Sequence, residues 1–160
     1  MKHIRAMLIM VMIPLMFAGQ AKADWSRYKP GKMVDIIEAN KEIAKGLKFL
    51  FTAKSFPTLA SVTYLGKIRN ISEQKMVFLD KYLTKTLSKP QWTKLFKREI
   101  QVREGKQVYW LPIQEPVLGF FPKEVKTGDV VNLYVIWAGA VRIDKKMVWV
   151  FLVNEFKASN

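Results

Sequence analysis

The sequence has no cysteine, and its only histidine is His3. Without these two side chain types, the rest of the chain has no Ser–His or Cys–His nucleophile and no thiolate or imidazole ligand for a metal. Haem, zinc and redox cofactors are therefore not expected, and disulfides cannot form. Catalysis would have to depend on carboxylate, lysine, tyrosine or serine side chains. We predict no catalytic residues, no metal site and no cofactor.

Long apolar runs are also scarce, and the one near the N-terminus has the pattern of a signal peptide. Lys2 and Arg5 precede about a dozen apolar residues, and Ala21-Lys22-Ala23 fits the small-x-small cleavage motif. The run is short for a membrane-spanning helix, although an uncleaved anchor is the alternative. We expect a signal peptide over 1–23, cleavage near Ala23, and a periplasmic or secreted single domain over 24–160.

Acidic residues are few compared with basic residues. Without the three basic residues of the predicted signal peptide, 24 Lys and Arg face 13 Asp and Glu, a net charge of +11. The densest basic stretch, 81–106, has only two acids, Glu99 and Glu104, beside eight cations. The cations are Lys81, Lys85, Lys89, Lys94, Lys97, Arg98, Arg103 and Lys106. A surface of this charge attracts an anionic lipid, a cell-wall polymer or an acidic protein, whereas the plainer interpretation is that it only keeps the chain soluble.

Aromatic residues are interleaved with this basic stretch at Trp92, Tyr109 and Trp110. Aromatic side chains beside cations can stack on nucleic-acid bases. Export and the absence of any sequence-reading motif nevertheless argue against nucleic acid as the partner.

One carboxylate suggests a different chemistry. Glu115 lies in an apolar connection over 114–128, where burial would raise the pKa of its carboxyl group and suit an acid catalyst. No second carboxylate lies at a meaningful spacing from it, so a carboxylate-dependent hydrolase remains an alternative function.

Helical spacing of apolar residues predicts two amphipathic helices. The first is expected over 33–52, with Gly46 in its interior. The second begins after Ser72, whose hydroxyl can cap the free amides of the first turn. Between them, 58–69 is rich in β-branched residues and predicts a strand, although a short helix also fits.

A two-residue periodicity predicts a hairpin around Glu104-Gly105-Lys106. If these three residues form the loop, Trp110 points to the buried face of the hairpin and Tyr109 points outward.

A second hairpin is expected from about Gly128 to Phe156, with its turn at Asp144-Lys145-Lys146. That turn pairs Gly139 with Phe151, an aromatic that would cover the gap left by the glycine. Both faces of this hairpin are apolar, so both must be covered.

These patterns predict an α+β fold. Amphipathic helices would pack on a strongly bent antiparallel sheet, or on a small SH3/OB-like β-barrel, of four to five strands. A flat sheet whose second face meets a homodimer partner is the alternative.

Three classes of function follow. The favoured one is an exported, non-catalytic binding or accessory protein whose basic face meets an acidic envelope component or protein partner. The others are the carboxylate-dependent hydrolase and a structural or oligomeric envelope protein. The first is preferred because the positive charge exceeds what folding requires, while the common catalytic residue types are missing.

Overall fold

The computed structural model describes residues 24–159, so the predicted signal peptide lies outside the described residues. The predicted α+β class is confirmed by a seven-stranded mixed sheet and four α-helices within this range. In chain order the elements are β1 (Lys29–Pro30), α1 (Met33–Ala44), β2 (Phe49–Phe51), β3 (Thr58–Asn70), α2 (Glu73–Lys81), β4 (Phe96–Glu104), β5 (Gln107–Gln114), α3 (Glu115–Leu118), α4 (Phe121–Glu124), β6 (Val130–Ile143) and β7 (Lys146–Ala158). In the described part of the chain, no helix is both long enough and apolar enough to cross a membrane.

The strands follow the order β1–β3–β4–β5–β7–β6–β2, and β3 also pairs with β6. This additional pairing joins five strands into a ring, β3–β4–β5–β7–β6. Neighbours in the ring are antiparallel, except for a parallel contact between Ile113 of β5 and Val153 of β7. The sheet is thus mixed and has more strands than predicted, because β1 and β2 are too short to produce a visible periodicity.

Two apolar clusters lie on opposite sides of the ring strands. The first contains inward-facing residues from all five ring strands, such as Val62, Ile100, Leu111, Leu133 and Val153. The second lies where Phe78 and Leu79 of α2 meet Val150 and Leu152 of β7. The prediction that the last hairpin is buried on both faces is therefore confirmed, and α2 covers its outer face.

The register predicted for this hairpin is wrong. Its turn has two residues, Asp144 and Lys145, with φ values of 47° and 65°, the conformation of a type I′ turn. Ile143 therefore pairs with Lys146, one residue away from the predicted register. A bulge between Trp137 and Gly139 then shifts the pairing of the two strands by one residue. Apolar side chains of each strand face both clusters.

Gly139 is covered by backbone and not by the predicted Phe151 ring. Its φ is 132°, and a Cβ built on it would lie 1.8 Å from the carbonyl oxygen of Leu50. Phe51 of β2 pairs directly with this glycine. Because Gly139 has no side chain, the edge strand β2 can approach and pair with β6 at this position.

The first hairpin is also shifted by one residue. Its turn consists of Gly105 and Lys106 alone, so Glu104 pairs with Gln107 and Val102 pairs with Tyr109. Because a shift of one residue turns every side chain to the other face, Tyr109 faces the ring core and Trp110 faces outward, opposite to the prediction.

The first helix is shorter than predicted. α1 ends at Ala44, and Gly46 adopts a φ of 81° beyond its end. The chain then continues into β2, so Leu50 and Phe51 belong to a strand although they follow the helical spacing.

The predictions of a strand over 58–69 and of a helix capped by Ser72 are confirmed. Thr58–Asn70 is a strand, and the Ser72 hydroxyl accepts a hydrogen bond from the Lys75 amide at the start of α2.

Candidate basic binding surface

The eight predicted cations fall into two groups. Six lie between the end of α2 and the start of β4, along a π-helical turn (Tyr82–Thr86) and a 3₁₀ segment (Pro90–Leu95). This group, called the basic surface below, consists of Lys81, Lys85, Lys89, Lys94, Lys97 and Arg98. Arg103 and Lys106 lie at the other end of β4, about 20 Å further along the strand at roughly 3.3 Å per residue. The fold therefore does not bring all eight together.

The two acids of the stretch are both withdrawn from solvent. Glu99 is 0 % exposed, and its carboxylate accepts hydrogen bonds from Lys75 Nζ and from Arg69 Nε, the latter at 2.7 Å. Glu104 is 7 % exposed and accepts hydrogen bonds from the backbone amides of Met33 and Val34, at 2.9 and 3.1 Å. Neither carboxylate is available to pair with an exposed lysine of the stretch, because both are bonded inside the fold.

Lys75 differs from the other lysines because it is buried beside Glu99. Burial lowers the pKa of Lys75, and the Glu99 charge opposes this effect. Two cations and one carboxylate meet here, since Arg69 also contacts Glu99. Lys75 and Glu99 lie in the interior of the fold, whereas Arg69 is half-exposed and has its charge compensated by Glu99.

Glu115 is not isolated in the apolar connection as the hydrolase hypothesis assumes. Its carboxylate accepts two hydrogen bonds from Arg98, at Nε (3.1 Å) and Nη2 (2.7 Å). These bonds raise the pKa of Arg98. Among the six cations of the basic surface, Arg98 thus has its charge compensated by a neighbouring carboxylate.

The three aromatic residues lie in different environments. Trp92 lies beside the basic surface, with Lys89 Nζ 5.7 Å from its ring centre. Trp110 carries the Arg69 guanidinium on its ring at 3.8 Å. Tyr109 has a buried hydroxyl with no hydrogen-bond partner in the described chain, and burial raises its pKa to about 12.

Sequence reasoning missed the aromatic side of the surface. Lys81 Nζ lies 4.9 Å from the ring centre of Phe49, whose ring stacks with that of Phe51. Phe51 in turn stacks on Phe78 of α2 at 5.1 Å. No local sequence signal predicts these contacts, because they form only when the segment after α1 becomes the separate strand β2 and pairs with β6.

A shallow cleft of about 470 Å³ lies at the other end of the ring, lined by Pro30, Gly31, Leu59, Ser61, Asn132 and their neighbours. Its one carboxylate, Glu104, is bound to the α1 backbone. Within residues 24–159, no group of three or more Asp, Glu, His or Cys side chains has a metal-binding arrangement.

Comparison with protein families, with curated proteins and with solved structures finds no match for this chain.

Proposed function

We propose that this protein is an exported, non-catalytic binding or accessory protein whose basic surface binds an acidic component of the cell envelope. The observation that carries the proposal is the burial of Glu99, the one acid within residues 81–99. A solubilising surface usually mixes both signs of charge. Here the acid of the stretch, Glu99, faces inward while most of the lysines are exposed. Asp80 and Glu115 are the acids that lie beside the surface, so its exposed charge is predominantly positive.

The arrangement of the lysines also supports binding. Lys81 ends α2, Lys85 lies in the π-helical turn, and Lys89 directly precedes the 3₁₀ segment, so the three lie along one continuous segment. Near an anionic membrane, each lysine contributes about 1 kcal/mol of attraction. The three lysines together therefore supply a few kcal/mol.

For the fold, we propose that the five-stranded ring is a small SH3/OB-like β-barrel. Its support is the pairing of β3 with both β4 and β6, together with the apolar cluster between the ring strands. A crystal structure without backbone hydrogen bonds between Thr58–Thr63 and Val130–Val135 would overturn this proposal.

Binding is tested with two probes at about 20 mM salt, polyglutamate and vesicles that contain phosphatidylglycerol. Because most of the attraction is electrostatic, affinity should fall steeply as salt rises. Replacing Lys81, Lys85 and Lys89 together by Gln should weaken binding at least about tenfold, since several kcal/mol of attraction is at stake.

The matched control replaces three exposed lysines outside the stretch, Lys29, Lys123 and Lys157, by Gln. It removes the same net charge and should weaken binding much less. Absence of binding to both probes at low salt, or equal losses in the two triple variants, would contradict the proposal.

A further inference from the structure

An exposed apolar patch adjoins the basic surface. We define the apolar patch as Ile43, Leu47, Phe51 and Val77, with 62 %, 40 %, 36 % and 44 % of their surface exposed. Ile43 lies in the last turn of α1, and Leu47 follows that helix. Phe51 is the last residue of β2, and Val77 lies on α2. Exposed apolar residues that group together commonly mark a contact surface.

Ring stacking joins the Phe51 end of the patch to α2, and hydrogen bonds join Leu47 and Lys48 to β6. Phe51 stacks on Phe78, the residue after Val77, at 5.1 Å. Val77 and Lys81 are four residues apart and share one side of α2. Arg142 of β6 donates from Nε to the Leu47 carbonyl oxygen at 3.2 Å, and its amide donates to Lys48 at 2.9 Å.

Cations border the patch on two sides. Lys48 and Lys81 have their Nζ atoms 5.6 and 4.9 Å from the Phe49 ring centre. Arg142 lies beside Leu47 on the β6 side. The nearby acids are Glu42, which pairs with Lys45 at 3.6 Å, Asp144 of the β6–β7 turn, and the exposed Glu73 and Asp80, four residues before and three residues after Val77 on α2. The border of the patch therefore carries both signs of charge, with Lys48, Lys81 and Arg142 directly beside the apolar side chains.

We propose that the apolar patch and its bordering cations dock the protein on the surface of an anionic lipid bilayer. This inference rests on the proposed function and selects lipid from among the acidic partners. A soluble acidic polymer contacts the charges alone and leaves the four apolar side chains in water. A bilayer interface accommodates both the apolar and the charged side chains, because apolar side chains enter the acyl boundary while lysines reach the head groups.

Other exposed valines do not make an equivalent surface. Val108 and Val130 are 50 % and 49 % exposed. They pair across their strands with Arg103 and Thr63, which are polar. Val108 is therefore a suitable control for a general effect of losing an exposed apolar side chain.

The test is flotation of the protein, purified as its host produces it, with vesicles of phosphatidylcholine alone or mixed with phosphatidylglycerol. The double variant Ile43→Ser/Leu47→Ser should lose at least about tenfold in affinity for the mixed vesicles. It should retain its affinity for polyglutamate and its thermal midpoint, because both side chains are exposed. Val108→Ser should bind the mixed vesicles like the unchanged protein.

Four outcomes would overturn the inference. Binding to polyglutamate without binding to mixed vesicles would leave the proposed function standing and reject lipid as the partner. Unchanged vesicle affinity in the double variant would show that the apolar patch takes no part. Equal loss in Val108→Ser would show that the effect is not specific to the patch. Absence of binding to both probes would reject the inference and the proposed function together.

Discussion

Lys75 and Glu99 form an ion pair in which neither side chain is more than 4 % exposed. The pair joins α2 to β4, and Arg69 of β3 reaches the same carboxylate from the half-exposed side. Removing water from both charges costs free energy, which their mutual attraction offsets. Loss of either partner would therefore leave an uncompensated buried charge and destabilise the fold. It therefore fixes where α2 lies, and the basic surface begins at the end of that helix.

Glu99→Gln should lower the free energy of unfolding by about 3–5 kcal/mol, because it leaves the Lys75 charge buried without a counter-charge. Urea unfolding measures the change. Glu38→Gln is the control, since it breaks an exposed pair with Lys41 and should cost under about 1 kcal/mol. The apolar pair Lys75→Met/Glu99→Leu should recover most of the loss. A loss below about 1 kcal/mol in Glu99→Gln would contradict this interpretation.

Tyr82 makes stability depend on alkaline pH. Burial raises its pKa to about 12, whereas an unfolded tyrosine ionises near pH 10. Between pH 10 and 12 the unfolded chain loses this proton and the folded chain keeps it, so the free energy of unfolding falls as pH rises.

Tyr82→Phe should therefore show a smaller fall than the unchanged protein between pH 10 and 12, measured by urea unfolding. Near pH 7 its stability should be equal or higher, because the Tyr82 hydroxyl is buried with no hydrogen-bond partner in the described chain. An identical alkaline fall in both proteins would show that Tyr82 is not the group responsible.

Glu104 closes the N-terminus of α1 from a distant strand. Glu104→Ala removes the acceptor of two backbone amides and should lower the free energy of unfolding by about 1–3 kcal/mol. Hydrogen exchange at Met33 and Val34 should accelerate. Lys106→Ala, in the exposed turn nearby, is the control and should leave both amides unchanged. Unaltered protection in Glu104→Ala would mean that the cap contributes nothing.

Local patterns were enough to predict some elements and not others. The strand at Thr58–Asn70 and the Ser72 cap were predicted because β-branched side chains and a capping hydroxyl act on their own neighbours. The hairpin turn at Gly105 was located, but its length was not, since two- and three-residue loops both accept a glycine. That single residue exchanged the environments of Tyr109 and Trp110.

The candidate site was also predicted only in part, because some of its features are local in the sequence and others depend on distant residues. Charge density in the sequence identified the lysines from Lys81 to Lys97. Burial of Glu99 depends on Lys75 and Arg69, which lie 24 and 30 residues away. The apolar patch depends on β2, whose Phe51 follows a helical spacing in the sequence. A strand that forms only by pairing with a distant partner leaves no local signal.

Gly139→Ala tests whether the close approach of β2 decides both stability and binding. Its Cβ would lie 1.8 Å from the Leu50 carbonyl oxygen at a φ of 132°, so the free energy of unfolding should fall by about 3 kcal/mol or more. Gly46→Ala is the control, because its φ is also positive but no atom lies within 4 Å, and it should cost about 1–2 kcal/mol.

If the variant still folds, displacement of β2 moves Phe51 away from Phe78 and should also weaken binding to anionic vesicles. The Gly46→Ala variant should keep that binding at a temperature where both proteins are folded. Equal stability losses in the two variants would mean that β6 yields at Gly139 without displacing β2. The apolar patch would then be independent of this contact.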